Sequence, residues 1–272
     1  MDRHVRRTAR AWRHAARHPA VVVQVVESRG SAPRHAGTRM LVSAREAVGT
    51  IGGGHLELKA IDAARAMLAE GQAAFQRHYP LGPALGQCCG GAVTLAFDWL
   101  DDAALAAWPE PEPMFHLQLY GAGHVGQAIV RLLATLDCRV DWIDEREDQF
   151  PPADAFVPAP DHIRALAVDA VEGEVALAPP GAFYLVLTHS HDLDLRITEA
   201  ILKRGDFGFF GLIGSATKRA RFVHRMEAKG MAPETLDRMH CPIGVEGITG
   251  KEPEVIAMAV VAQLLQQRRP GA

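Results

Sequence analysis

The apolar positions of this chain follow one spacing in the first hundred residues and another in the rest. Val5, Ala9, Trp12 and Ala16 recur on one helical face before Pro19 breaks the pattern, which predicts a first helix with a basic outer face. Ala20 to Val26 is a run of mostly β-branched side chains and predicts a buried strand. Thr38 to Ser43 and Ala47 to Ile51 read as two more strands, the second closing on Gly52-Gly53-Gly54. A helix is then expected to about Glu70, with Leu58, Ile61 and Leu68 on one face. Strands near 74–79 and 92–97 complete a mixed α+β domain over residues 1–108. Prolines at 109, 111 and 113 favour an extended connector, so residues 109–113 are read as a linker.

Residues 114–272 alternate strand and helix instead. Phe115 to Tyr120 predicts a strand, Gly121-Ala122-Gly123-His124-Val125-Gly126 a turn, Gln127 to Leu136 a helix and Cys138 to Ile143 a second strand, closed by Asp144. Further strands are expected near 155–157, 182–187 and 207–213, with a last helix from Glu252 to Gln267. Strand, G-x-G-x-x-G, helix, strand and an acid some twenty residues on is the full context of a dinucleotide-binding turn. The fold class expected is therefore α/β, an N-terminal mixed α+β domain followed by a Rossmann-like doubly wound parallel-sheet domain.

Composition narrows the function classes. Hydrophobic residues make up 48% and charged residues 22%, as in ordinary globular proteins. A net charge of −3 gives no drive toward nucleic acid or anionic membranes. No apolar run approaches the ~20 residues that span a bilayer. Four cysteines, two adjacent and two isolated, do not form a secreted disulfide framework, so a reducing, cytoplasmic setting is expected.

The candidate chemistry sits at the glycine-rich breaks. Gly86-Gln87-Cys88-Cys89-Gly90-Gly91 places two thiols before two residues without a Cβ, at the entrance of a strand. Neighbouring side chains on extended backbone point to opposite faces, so at most one of Cys88 and Cys89 faces a given ligand. A buried cysteine pair beside a structural turn and a reactive or ligand-binding thiol both stay open. Gly53 and Gly54 put bare backbone N–H groups at a helix start, where His55 and Glu57 either meet a ligand or cap the helix. In the second half, Gly121 allows the tight turn, Gly123 lets a pyrophosphate reach the backbone and Gly126 packs helix on strand. Thr188-His189-Ser190-His191-Asp192-Leu193-Asp194 falls at the carboxyl end of a predicted strand, where a zinc site on His189, His191 and Asp192 and a simple helix start compete. Lys218 and Arg219 follow Gly214-Ser215 and place two cations where the helix dipole disfavours them, unless an anion binds or solvent covers them.

Taken together these motifs resemble the xanthine dehydrogenase accessory protein family, the XdhC/CoxI-type molybdenum cofactor chaperones. The resemblance is carried by Gly52-Gly53-Gly54-His55-Leu56-Glu57 and Gln87-Cys88-Cys89-Gly90-Gly91, and then by Gly121-Ala122-Gly123-His124-Val125-Gly126. Thr188-His189-Ser190-His191-Asp192, Gly211-Leu212-Ile213-Gly214-Ser215, Cys241-Pro242-Ile243-Gly244 and Gly250-Lys251-Glu252-Pro253 continue it in order. It implies a non-catalytic protein that binds molybdenum cofactor, helps a cysteine desulfurase add the terminal sulfido ligand, and delivers the product to the molybdenum subunit of xanthine dehydrogenase. On that resemblance Cys89, with Cys88 as second choice, is the expected molybdenum contact through the bound cofactor. Gly90, Gly91, Gly53, Gly54, His55 and Glu57 would join it. Gly121, Gly123, Gly126 and Asp144 would hold the cofactor's phosphate or the nucleotide of a dinucleotide form. Thiolate suits a sulfur-rich metal centre and can relay sulfane sulfur. The rival from another class is an NAD(P)-dependent oxidoreductase using the second domain, with Cys89 as nucleophile or redox thiol. The oligomeric state, homodimer included, is left open by the sequence.

Overall fold

The computed structural model describes residues 2–14, 19–30, 34–81, 91–109, 112–152, 155 and 160–267. The chain divides into two compact units, Met1–Pro111 and Glu112–Ala272.

The first unit is a five-stranded antiparallel sheet with a helix on each face. Its strands are β1 (Ala20–Arg29), β2 (Arg39–Ser43), β3 (Ala47–Gly49), β4 (Phe75–Pro80) and β5 (Ala92–Trp99), in the order β3-β2-β1-β5-β4. Period-two alternation explains why β1 reads as an unbroken apolar run. Val21, Val23 and Val25 pack with Leu56, Ala60, Ala64 and Met67 of α2 (Gly54–Glu70). Val22, pointing the other way, joins Leu41, Trp108 and the Val5 and Ala9 of α1 (Asp2–His14). Both faces of the central strand are therefore core. A register shift between Val25 and Glu27 turns Val26 outward. The short helix α3 (Asp102–Ala106) is capped by Asp101, whose carboxylate accepts from the Ala104 amide at 2.7 Å.

The second unit is a six-stranded parallel sheet, β6 (His116–Tyr120), β7 (Arg139–Asp144), β8 (Ile163–Ala167), β9 (Phe183–Val186), β10 (Phe209–Leu212) and β11 (Met239–His240). Its order β11-β10-β9-β6-β7-β8, counted from the β8 edge, is the 3-2-1-4-5-6 arrangement of a doubly wound sheet. Leu117, Leu119 and Leu185 meet α4 (His124–Leu133) and α8 (Pro253–Gln267) on one face through Ile129, Leu133, Val260 and Leu264. Tyr120, Tyr184 and Val186 meet α5 (His191–Arg204) and α6 (Ala216–Glu227) on the other through Ile197, Ile201, Phe222 and Met226. A short helix α7 (Pro233–Leu236) precedes β11. The α/β class and the Rossmann-like second half expected from the sequence are what the structure has.

One strand is misplaced by the sequence pattern. A strand was expected near 155–157, but the third strand of this half is β8, paired with β7 from Val140↔Ile163 to Asp144↔Ala167. Ala155 lies in a 3-10 turn, and residues 156 and 157 fall outside the described residues. β8 is an edge strand with no fully buried residue, so it lacks the apolar run that marks its neighbours.

Candidate functional site

In an open α/β sheet, ligands bind beyond the carboxyl ends of the strands, where the strand order reverses. Here that point lies between β6 and β9, and three loops meet there: Gly121–Gly126 after β6, Asp144–Arg146 after β7, and Thr188–Ser190 after β9.

Each glycine of the β6 turn has its own reason. Gly121 has φ 120°, and a Cβ there would stand 2.4 Å from the Leu187 carbonyl oxygen, so the turn sits directly on the end of β9. A Cβ on Gly126 would stand 2.1 Å from the Gly121 oxygen, which fixes how closely α4 follows the strand. Gly123 differs from both. Its φ of −70° suits any residue, and a Cβ would meet nothing within 4 Å. Nothing inside the protein requires a glycine there, and the space it leaves is open at a helix N-terminus.

Asp144 is placed beside this turn but is not free to take a ribose hydroxyl. Its Oδ2 accepts from the Ala122 amide at 2.7 Å and from Arg146 Nη2 at 3.0 Å. Its Oδ1 accepts from the Arg146 amide and Nε, both at 2.9 Å. Those four bonds fill the acceptor capacity of a carboxylate. Burial works against ionisation, yet the bonds from Arg146 and the Ala122 amide outweigh it and hold the carboxyl below its ordinary range. Asp144 thus ties the turn to Arg146, whose side chain is 31% exposed.

A cavity of about 300 Å³ opens at the ends of β9 and β10. Thr188, Asp194, Gly214 and Lys218 form its polar wall, with Ile213 and Ser215 beside them and His189 and His191 also lining it. Asp194 and Lys218 form a buried ion pair, Nζ to Oδ2 at 2.5 Å, with side-chain exposures of 2% and 10%. The other Asp194 oxygen accepts from the Thr188 amide at 3.0 Å and the Thr188 hydroxyl at 2.7 Å. Lys218 also donates to the Ile213 carbonyl at 2.8 Å and stands 5.5 Å from the Phe222 ring centre. Gly214 makes this possible, since a Cβ there would lie 2.5 Å from Lys218 Cδ. Ser190 and Ser215 cap α5 and α6 by accepting from the Leu193 and Lys218 amides. Cys241 lies below, its Sγ 3.8 Å from the Ser215 carbonyl oxygen, and burial pushes its thiol pKa up.

The glycine loop of the first unit is built differently. Gly52, Gly53 and Gly54 take φ of 130°, 76° and 64°, a run that only glycine adopts readily. Glu57 reaches back from α2 to accept from the Ile51 and Gly53 amides, each at 3.1 Å, and from the Thr50 hydroxyl. Of the two residues expected at this mouth, Glu57 caps the loop and His55 is exposed. Gly91 precedes β5, and its carbonyl accepts from the Leu81 amide at 2.8 Å. Cys88, Cys89 and Gly90 lie outside the described residues. Among the described residues no three His, Cys, Asp or Glu side chains converge as a metal ligand set, so His189, His191 and Asp192 do not form one.

Sequence reasoning missed Asp194 as a buried partner: of the two readings open for Lys218, a bound anion or a solvated face, neither foresees a buried ion pair within the chain. The signal was present in the order of residues: Lys218 lies in the first turn of α6, and Gly214, just before the N-cap Ser215, has no Cβ to block its side chain as it folds back. Arg146 was missed as well, though it stands two residues beyond the strand-end acid.

Residues 117–264, more than half of the chain, match the family described as the XdhC Rossmann domain, and residues 13–80 match the XdhC and CoxI family. The chain belongs to the XdhC family. A relative in Escherichia coli strain K12, the uncharacterized protein YqeB, is 30% identical over 268 residues. That match takes in 93% of this chain and 44% of the relative, so the chain spans under half the relative's length. A solved structure from Bacillus halodurans, described as a xanthine dehydrogenase, superposes with a TM-score of 0.74 at 20% identity, over 98% of this chain and 95% of that one. At that identity the likeness speaks for the fold. Among the described residues no helix is long and apolar enough to cross a membrane.

Proposed function

We propose that this XdhC-family protein is a carrier for molybdenum cofactor, taking the cofactor as cargo, supporting its sulfuration and passing it to the molybdenum subunit of xanthine dehydrogenase. Family membership supports an accessory role for xanthine dehydrogenase; the cargo, its sulfuration and a cysteine desulfurase as donor are the finer proposal. The observation that carries it is the family pattern itself. The two matched regions, 13–80 and 117–264, flank Gln87-Cys88-Cys89-Gly90-Gly91 on one chain. In this reading Cys89 supplies a soft thiolate to the molybdenum centre, and the Gly121–Gly126 turn receives a phosphate of the cofactor. The open space at Gly123 fits that assignment.

The second reading, an NAD(P)-dependent oxidoreductase, draws on the same strand order and glycine geometry. The four hydrogen bonds on Asp144 weigh against its NAD form, because the acid that would hold an unmodified ribose is already used.

Reconstitution decides between them. Purified protein incubated with molybdenum cofactor should retain molybdenum and a pterin spectrum through gel filtration, whereas nicotinamide should not be retained. Cys89→Ala should lose most of the retained molybdenum, while Cys138→Ala, a buried thiol that packs under α4, should keep it. Equal retention by wild type and Cys89→Ala would remove the thiol from the mechanism. Retained nicotinamide without pterin would overturn the cargo reading altogether.

A further inference from the structure

We propose that Tyr79 is a further cargo-binding residue, its phenolic hydroxyl supplying a hydrogen bond that keeps the cofactor on the first unit. The inference rests on the carrier reading and adds a residue to it. Tyr79 lies on the edge strand β4 and is 7% exposed. Its ring packs into the core on the α2 face of the sheet, with Leu56, Leu81 and Val93. Its hydroxyl oxygen is closed off from solvent and meets no donor or acceptor of the protein. A buried polar atom in that state costs the fold free energy, so a compensating role is expected of it. The other two tyrosines show the ordinary arrangement: Tyr120 donates to Gln118 at 2.7 Å and Tyr184 to the Val175 carbonyl at 3.3 Å. Among the described residues, the other buried side-chain atoms without a partner, on Arg13, Trp108, His162 and Thr198, lie on the opposite face of that sheet or in the second unit.

Position singles Tyr79 out. Tyr79 and Pro80 pair with Val93 and Ala92 of β5, which pair in turn with Ser28 and Arg29 at the end of β1. The Leu81 amide and the Gly91 carbonyl, 2.8 Å apart, close that hairpin, and the chain that carries Cys88 and Cys89 runs between those two residues. β3 finishes toward the same end: Gly49 pairs with Met40 beside the start of β2, and the Gly52–Gly54 turn and the first residues of α2 follow. The orphan hydroxyl therefore stands at the end of the sheet to which both glycine motifs of the first unit are attached. At that end the Gly53 amide is already taken by Glu57. Tyr79 has an O–H to give and lone pairs to receive, which suits a ring nitrogen or carbonyl at the edge of a pterin. Among apolar neighbours such a bond is stronger than at a wet surface. Because the oxygen is covered in the free protein, cargo reaches it by displacing that cover, so Tyr79 governs release more than encounter.

Tyr79→Phe in the full chain tests the assignment, since only the oxygen is removed. In the cofactor-free protein the denaturant midpoint should stay at or above that of the wild type, because no bond is broken. After anaerobic reconstitution with molybdenum cofactor, molybdenum should leave the variant about fivefold faster, the loss of one neutral hydrogen bond. With tyrosine labelled at the ring carbon Cζ, the three tyrosines of the chain give three lines. Loading should move the Tyr79 line, which the substitution identifies by its disappearance. A lower midpoint without cofactor would mean that the hydroxyl is already bonded in the free protein, and would overturn the proposal. So would an unchanged release rate, or a Tyr79 line that loading leaves in place. Those outcomes leave the carrier reading standing. A wild type that retains no molybdenum brings down the carrier reading, and this role for Tyr79 with it.

Discussion

The two glycine-rich strand-to-helix turns look alike in sequence and are opposites in structure. At Gly52–Glu57 the glycines are demanded by the backbone, three positive φ values in a row; the Gly53 amide, with that of Ile51, is taken by the Glu57 carboxylate from the following helix, and the Gly52 amide by the Thr50 hydroxyl. At Gly121–Gly126 the outer two glycines are demanded by packing, and the middle one by nothing in the protein. The first turn seals itself. The second is left open at the place where a ligand's phosphate would approach the helix. Glycine content therefore marks a candidate mouth, and the partners of its amides decide whether anything can enter.

The packing half of that comparison predicts the largest effect. Gly126→Ala puts a Cβ of α4 2.1 Å from the Gly121 carbonyl oxygen, a backbone atom of the turn whose own amide is bonded to the Ile143 carbonyl of β7. Overpacking against backbone that cannot yield should cost about 3 kcal/mol or more. Denaturant unfolding should show the second unit losing that much stability, and a loss under 1 kcal/mol would mean that α4 can shift away from β6.

Next comes the seal. Glu57→Ala removes the acceptor shared by the Ile51 and Gly53 amides and the Thr50 hydroxyl. Water can replace part of what is lost, because the loop is only half-buried, so about 2 kcal/mol is expected in the same measurement. If Glu57→Ala instead leaves stability unchanged and abolishes molybdenum retention, Glu57 is a ligand contact and the contrast between the two turns fails.

How much of this was legible beforehand depends on which kind of interaction carries it. The alternation of β1, the glycine spacing after β6 and the strand–helix rhythm of the second half are local patterns, and they predict the class of both units. β8 was invisible because an edge strand has little to bury, and the prolines around 151–160 disguise where the chain turns. The Asp194–Lys218 pair joins residues 24 apart through a returning side chain, which no periodicity reports. Asp144 shows the subtler failure. Its position was read correctly, but the sequence carries no sign that Arg146 and Ala122 occupy it first.

The smallest expected change in stability tests the open turn. Gly123 is the N-cap of α4 and makes no side-chain capping bond, so Gly123→Val sacrifices only a modest capping preference, about 0.5–1 kcal/mol. Its branched side chain would project into the open space and keep a phosphate from the backbone donors of the helix start. Each charge-assisted hydrogen bond contributes roughly 1.5–3 kcal/mol, so the loss of even one should lower affinity about tenfold or more. Retained molybdenum should fall accordingly in the reconstitution assay, while Cys89 stays reactive toward thiol reagents because the substitution lies in the other unit. Normal cofactor retention together with lost NAD(H) binding would instead make the turn a nucleotide site, and the glycine that the fold does not need would be there for a ribonucleotide.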